Sequence, residues 1–133
     1  MFSRNRNRFN VAAMIAPMVL AAFAANDASA VVMNVNLART GAASQSSDAA
    51  GGVASRAIDG GLGGSFSDDK STSHTNNIAN SSWQVNLGTM QQINSVELFN
   101  RGDCCGGRLS NFTLSVLDNS NAVVHSQAFA GTV

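Results

Sequence analysis

The sequence predicts an all-β fold, an antiparallel β-sandwich, on three observations. Its 133 residues carry 12 Gly and few charges, with DEKR at 12%, among abundant Ser, Asn and Thr, a turn-rich composition. Glu97 is the only Glu and Lys is almost absent, so the chain lacks the residues that surface helices lean on. Apolar and polar residues alternate with period 2 in short runs about ten residues apart, and no 3.6-residue period occurs after residue 30. The length suits one domain, and neither a repeat nor a second domain is visible.

The first thirty residues read as a secretory leader rather than as fold. Arg4, Arg6 and Arg8 form a basic start, and Val11 to Ala25 is free of charge. Ala28-Ser29-Ala30 supplies the small side chains of a cleavage site, predicting a mature chain that begins at Val31. A spanning helix needs about 20 apolar residues, and this run is shorter and contains Pro17. The expectation is a secreted (extracellular or periplasmic) protein with no membrane insertion after cleavage. The mature segment keeps Arg39, Arg56, Lys70, Arg101 and Arg108 against seven carboxylates, a net charge of −2. With no basic patch, nucleic-acid binding through phosphate neutralisation is excluded.

Along the mature segment, Val35–Ala38 is a short apolar lead-in, and 40–55 reads as a Ser/Ala/Gly/Gln loop. Ala57-Ile58-Asp59-Gly60 is an apolar pair closed by a turn dipeptide. Residues 61–82 form a long irregular stretch containing Phe66, Asp68, Asp69 and His74, of the kind that is usually functional or disordered. Trp83-Gln84-Val85-Asn86-Leu87 alternates as a strand and stops at Gly88. Ile93, Val96, Leu98 and Phe99 predict a second strand, and Phe112, Leu114 and Val116 a third within 111–118. A turn at 118–121 leads to a last strand over 122–129.

Enzyme signatures are missing: there is no G-x-S-x-G, no H-E-x-x-H, no P-loop and no dinucleotide fingerprint. The chemistry concentrates in Arg101-Gly102-Asp103-Cys104-Cys105-Gly106-Gly107-Arg108, a loop that directly follows a strand signal. Adjacent cysteines have the wrong spacing for a zinc site or a C-x-x-C redox motif. Export favours pairing of the thiols. Neighbouring Cα atoms are only about 3.8 Å apart, so their bond would close a strained ring, a flat apolar sulfur surface between two cationic forks. Two free thiols are the plain alternative. Arg guanidinium can bridge two vicinal hydroxyls, and a sugar offers both these and an apolar face. Asp103 is placed to hold the forks.

With these residues the chain resembles the fucolectin family, the eel-agglutinin or F-type lectins of the discoidin-like (galactose-binding-like) superfamily. The shared motif is His74, a gap of 26 residues, then Arg101-x-Asp103 and, four residues later, Arg108. Asn36-Leu37-Ala38, the 57–60 turn and the Trp83–Leu87 strand also match family landmarks, so the likeness runs from about Asn34 to Val133. The resemblance implies a jelly-roll-like sandwich that binds L-fucose-type glycans and has no catalytic role. It implies that His74, Arg101 and Arg108 donate hydrogen bonds to the sugar. It implies further that Cys104 and Cys105 form a vicinal disulfide against the sugar and that Phe66 lies near the fucose methyl. A structural Ca²⁺ is implied, with Asp59 as a side-chain ligand, Ser71 as a hydroxyl or carbonyl ligand, and Arg56 and Gly61 as carbonyl ligands.

The family domain continues for a few tens of residues beyond the end of this sequence, with closing strands and an acidic calcium ligand. The expected domain, 31–133, is therefore incomplete at its C-terminus. Other readings are a discoidin-like module for another glycan or a protein surface, and a targeting fragment of a larger secreted enzyme. An oligomer is possible. Trp83 is expected in the core rather than on the sugar, and His125 is expected to be structural. Arg101-Gly102-Asp103 as an integrin-type tripeptide is the weaker reading, since the lectin motif already accounts for the Asp.

Overall fold

The computed structural model describes residues 8–12 and 34–132. The predicted cleavage site after Ala30 lies outside the described residues. Five strands form one sheet: β1 (Arg8–Ala12), β2 (Ala42–Gln45), β3 (Ser82–Asn86), β4 (Ser110–Leu117) and β5 (Val123–Thr132), in the order β2-β3-β1-β4-β5. The described elements are strands and 3-10 turns, as an all-β fold class requires. The pairs β2–β3 and β4–β5 are antiparallel, while β1 lies parallel to both β3 and β4. No helix of the described residues is long and apolar enough to cross a membrane.

Period-2 alternation produces β3 and β4. Trp83 and Val85 of β3 are buried while Gln84 and Asn86 point outward. On β4, Phe112 and Leu114 are buried, and Phe112 stacks on its cross-strand neighbour Phe129 with centroids 4.9 Å apart. A cluster of Ala54, Trp83, Val85 and Leu114, flanked by Ile58, Leu87, Ile93 and Phe129, forms the core. Trp83 sits in it as expected and donates its indole N–H to the Ala54 carbonyl at 3.0 Å. His125 is an exposed residue of β5.

Three expectations change. The 40–55 stretch is not all loop. Ala42–Gln45 pairs with β3, because the ladder comes from a neighbouring strand and needs no apolar alternation of its own. A 3-10 turn occupies Ala54–Ile58 and ends at Asp59, with Gly60 at φ +89° completing the reversal. The lead-in closes with another 3-10 turn, Leu37–Thr40, where Asn36 Oδ1 accepts from the Ala38 N–H. Conversely, residues 93–99 carry the apolar pattern of a strand yet form no ladder, and Phe99 is 59% exposed. A strand needs a partner for its N–H and C=O groups, and none of the described residues supplies one there.

Candidate functional site

The site is built from three segments that the sheet brings to one end: the loop after β2, the irregular 61–81 stretch, and the 101–108 loop before β4. The chain path through the last is fixed by Asn100. Its Oδ1 accepts from the Arg101 N–H at 2.8 Å and its Nδ2 donates to the Gly106 carbonyl at 2.9 Å. A third 3-10 turn, Gly106–Arg108, follows. The left-handed residue of this loop is Cys105, at φ +60°, bonded to Cys104 as a vicinal disulfide with Cα atoms 3.8 Å apart.

Arg101 is held on two sides. Its Nε and Nη2 donate to the two carboxylate oxygens of Asp103 at 2.6 and 2.8 Å, a bidentate fork. Its Cζ lies over the Phe66 ring, 4.9 Å from the centroid. Asp103 also accepts from the backbone N–H groups of Phe66 and Cys104. The Arg101 hydrogen bonds, with those two amides, hold the Asp103 carboxyl well below the usual carboxylate range, and Asp103 in turn raises the Arg101 guanidinium above its ordinary value. Asp103 thus fastens the 101–108 loop to the Phe66 segment. Gly102 N–H donating to the Gly64 carbonyl at 2.9 Å adds a second tie.

Arg108 Nη1 lies 3.2 Å from His74 Nε2. Arg has only donors, so in this contact Nε2 stands as the acceptor, and Nδ1 is the other ring nitrogen. That Nδ1 is buried with no partner. The His74 backbone is clamped to the loop after β2. Its N–H donates to the Gly52 carbonyl at 2.7 Å, and its carbonyl accepts from Ala49 N–H at 2.9 Å and from Gln45 Nε2 at 3.2 Å. Gly52 is buried, and a Cβ there would stand 2.7 Å from His74 Cβ and 2.9 Å from Phe66 Cε2. Gln45 and Gly52 therefore fix where His74 and Phe66 stand. The sequence reading placed both in plain loop. The signal that could have exposed them is a Gln followed six residues later by a Gly pair, which is too common to single out.

Phe66 was expected beside the sugar methyl. The structure surrounds it with Arg101 on one contact, Arg56 Cζ at 5.2 Å on another, and the His74 ring edge-on at 5.7 Å. It is the packing post on which these three side chains lean.

Three of the expected calcium ligands lie within hydrogen-bond reach of one another. Asp59 Oδ2 accepts from Ser71 Oγ at 3.0 Å and Asp59 Oδ1 from Gly61 N–H at 2.7 Å, so these three residues converge. Arg56 turns its guanidinium to Phe66, with Nη1 buried and unpartnered. Asp69, outside the expected set, accepts from the Ser71 N–H at 3.2 Å and organises the same loop with Asp68 and Ser65. One carboxylate, a hydroxyl and carbonyls are hard oxygen donors of the type Ca²⁺ takes. Among the described residues, however, no group of three or more His, Cys, Asp or Glu gathers.

Comparison with known proteins places this arrangement. Fucolectin-1 of Anguilla japonica is 46% identical over 80 residues, covering 56% of this chain and 44% of the eel protein. Fucolectin of Anguilla anguilla is 40% identical over 86 residues, covering 61% and 54%. The chain thus spans about half the length of these curated relatives. The lectin domain of Lectinolysin complexed with Lewis B antigen superposes with a TM-score of 0.70 at 42% identity, over 74% of this chain and 70% of that one. A histidine mutant of that domain with Lewis b gives 0.70 at 41% identity, over 74% and 69%. The model of the NedA-like, galactose-binding domain matches residues 56–132, which hold Phe66, His74 and the whole 101–108 loop. With more than half its residues inside that match, and an all-β fold to go with it, the chain is a member of the NedA-like, galactose-binding domain family.

Proposed function

We propose that this chain is a secreted lectin module that binds L-fucose-type glycans through Arg101, Arg108, His74 and the Cys104–Cys105 disulfide. The carrying observation is the convergence of two guanidinium groups and an imidazole beside that disulfide, with Arg101 aimed by Asp103 and Arg108 set against His74. The relatives are lectins, named for fucose in the eel proteins and bound to Lewis antigen in the Lectinolysin domain, and the module binds rather than catalyses.

Binding follows from donor geometry. Asp103 takes the Nε edge of Arg101 and Phe66 supports its face, so the remaining N–H groups are presented in a fixed plane to neighbouring hydroxyls. A sugar hydroxyl entering between Arg108 and His74 would accept from the guanidinium and hydrogen-bond to Nε2, replacing their direct contact with two hydrogen bonds. The exposed Cys104–Cys105 pair offers sulfur and methylene surface to the apolar face of the ring. Because the Arg101 plane is set by Asp103 and Phe66 beforehand, little side-chain entropy is lost on binding.

Calcium, if taken, would be held by Asp59 and Ser71 with carbonyls of Arg56 and Gly61. It would supply rigidity to the loop that carries Phe66, not contact with the sugar. Titration of folded, oxidised protein with L-fucose, alongside galactose and mannose, tests the reading. Saturable binding of L-fucose that Arg101→Ala abolishes is expected. A parent that ignores fucose but binds another glycan or a protein would make this a discoidin-like module of different specificity.

A further inference from the structure

The most exacting position in the sheet is its centre, and a segment read as leader holds it. Strand β1 runs between β3 and β4 with five register pairs on each side: Arg8 to Ala12 against Ser82 to Asn86, and against Thr113 to Leu117. Among the described residues nothing else joins the two halves of the sheet, β2–β3 and β4–β5, by a ladder. Without β1, two strands of the core would face each other across a gap one strand wide, roughly 9–10 Å between β3 and β4. Both would expose N–H and C=O groups beside buried Trp83, Val85 and Leu114.

The segment also matches the slot in pattern. Arg-Phe-Asn-Val-Ala pairs in register with Ser-Trp-Gln-Val-Asn, placing aromatic opposite aromatic, amide opposite amide and Val opposite Val. On the other side Phe9 and Val11 stand at the register positions of Leu114 and Val116, and Asn10 at that of Ser115.

We infer that the slot between β3 and β4 is a strand-acceptor site and that its occupant is this chain's own Arg8–Ala12, seated parallel to both walls. Processing after Ala30 and completion of the sheet then compete for the same five residues. A chain cut there keeps its sheet only while the released segment stays bound. This inference does not depend on the sugar reading, because it concerns the sheet and not the 101–108 loop.

The test places a protease site between Ala30 and Val31 in the full chain and cuts the folded protein. The 1–30 fragment should co-elute with 31–133 in native size exclusion and separate only in denaturant. Amides of 82–86 and 113–117 should stay protected from hydrogen exchange while the fragment is bound and lose protection when it is stripped. Asn10→Pro removes a ladder N–H from a central strand, so it should release the fragment after cutting and lower the melting point of the uncut chain by about 5 °C or more. Asn5→Pro, outside the strand, should do neither. A fragment that falls away on cutting, with exchange at 82–86 and 113–117 unchanged, overturns the inference. So does an Asn10→Pro chain that melts with the parent and retains its fragment.

Discussion

Arg101 spends part of its donor array on Asp103 to gain direction for the rest. Charge-assisted hydrogen bonds from such a group are worth about 1.5–3 kcal/mol, roughly 10- to 150-fold in affinity. Arg101→Ala and Arg108→Ala should each weaken L-fucose binding by at least that factor, read by calorimetric titration. Arg108→Lys should keep the charge and still bind poorly, since an ammonium cannot span two hydroxyls. His74→Ala should cost less, about one neutral hydrogen bond or ~0.5–1.5 kcal/mol. Equal affinity in parent and Arg101→Ala would remove Arg101 from the site. Asp103 carries the acid-side prediction. Its carboxyl is depressed when folded, so its contribution is complete above the unfolded carboxylate range and is lost only as pH falls through the lower folded value. The Arg101–Asp103 fork should therefore survive at pH 4, where an ordinary Asp is half protonated. The carbon chemical shift of the Asp103 carboxyl checks this, and a midpoint near 4 would contradict it. His74, Arg101, Asp103 and Arg108 could be singled out in the sequence because their spacing is a motif. Gln45 and Gly52 could not, because their role is a backbone contact across the fold and leaves no pattern along the chain.

Among the elements, β3 was legible because its alternation records which face is buried, and β4 because Phe112 and Leu114 keep the same period while Ser115 and Leu117 are buried as well. Ala42-Ala43-Ser44-Gln45 records nothing of the kind, and its strand exists only because β3 offers a ladder. The error at 93–99 runs the other way, since apolar pattern alone does not furnish a partner. These loops and strands set two further expectations. Gly52→Ala would push a methyl against His74 and Phe66, an overpacking that typically costs about 1–3 kcal/mol. It should weaken fucose binding and lower the melting point together. Gly51→Ala next door, with nothing within 4 Å of its Cβ, should leave affinity unchanged despite a strained φ of +74°. Mild reduction of Cys104–Cys105 should weaken binding by freeing the turn at Cys105, while the circular dichroism of the sheet stays as it was.

At the scale of the molecule, the all-β class was readable from composition and period. The mixed sheet was not, because a parallel central strand drawn from residues 8–12 leaves no mark in the segment that follows residue 30. Among the described residues few side chains are fully buried, Phe112 being the largest. Phe112→Ala should cost about 3–5 kcal/mol and abolish a cooperative melt. A calcium site resting on Asp59 as its carboxylate should give only a small upward melting shift with millimolar Ca²⁺, measured by scanning fluorimetry. Micromolar affinity with a melt above about 65 °C would show a more complete site. The outer edge of the sheet has a practical consequence of its own. Strand β5 is ten residues long, pairs on one side with β4 among the described residues, and shows Val123 and Val124 at 59% and 49% exposure. Neither Lys nor Pro interrupts it. Such an edge is a template for its own copies, so solution behaviour should depend on protein concentration, and light scattering should grow on storage. A single Val124→Lys gatekeeper should slow that growth and leave sugar affinity alone, because the charge would stand on the far margin of the sheet, in the path of the next molecule.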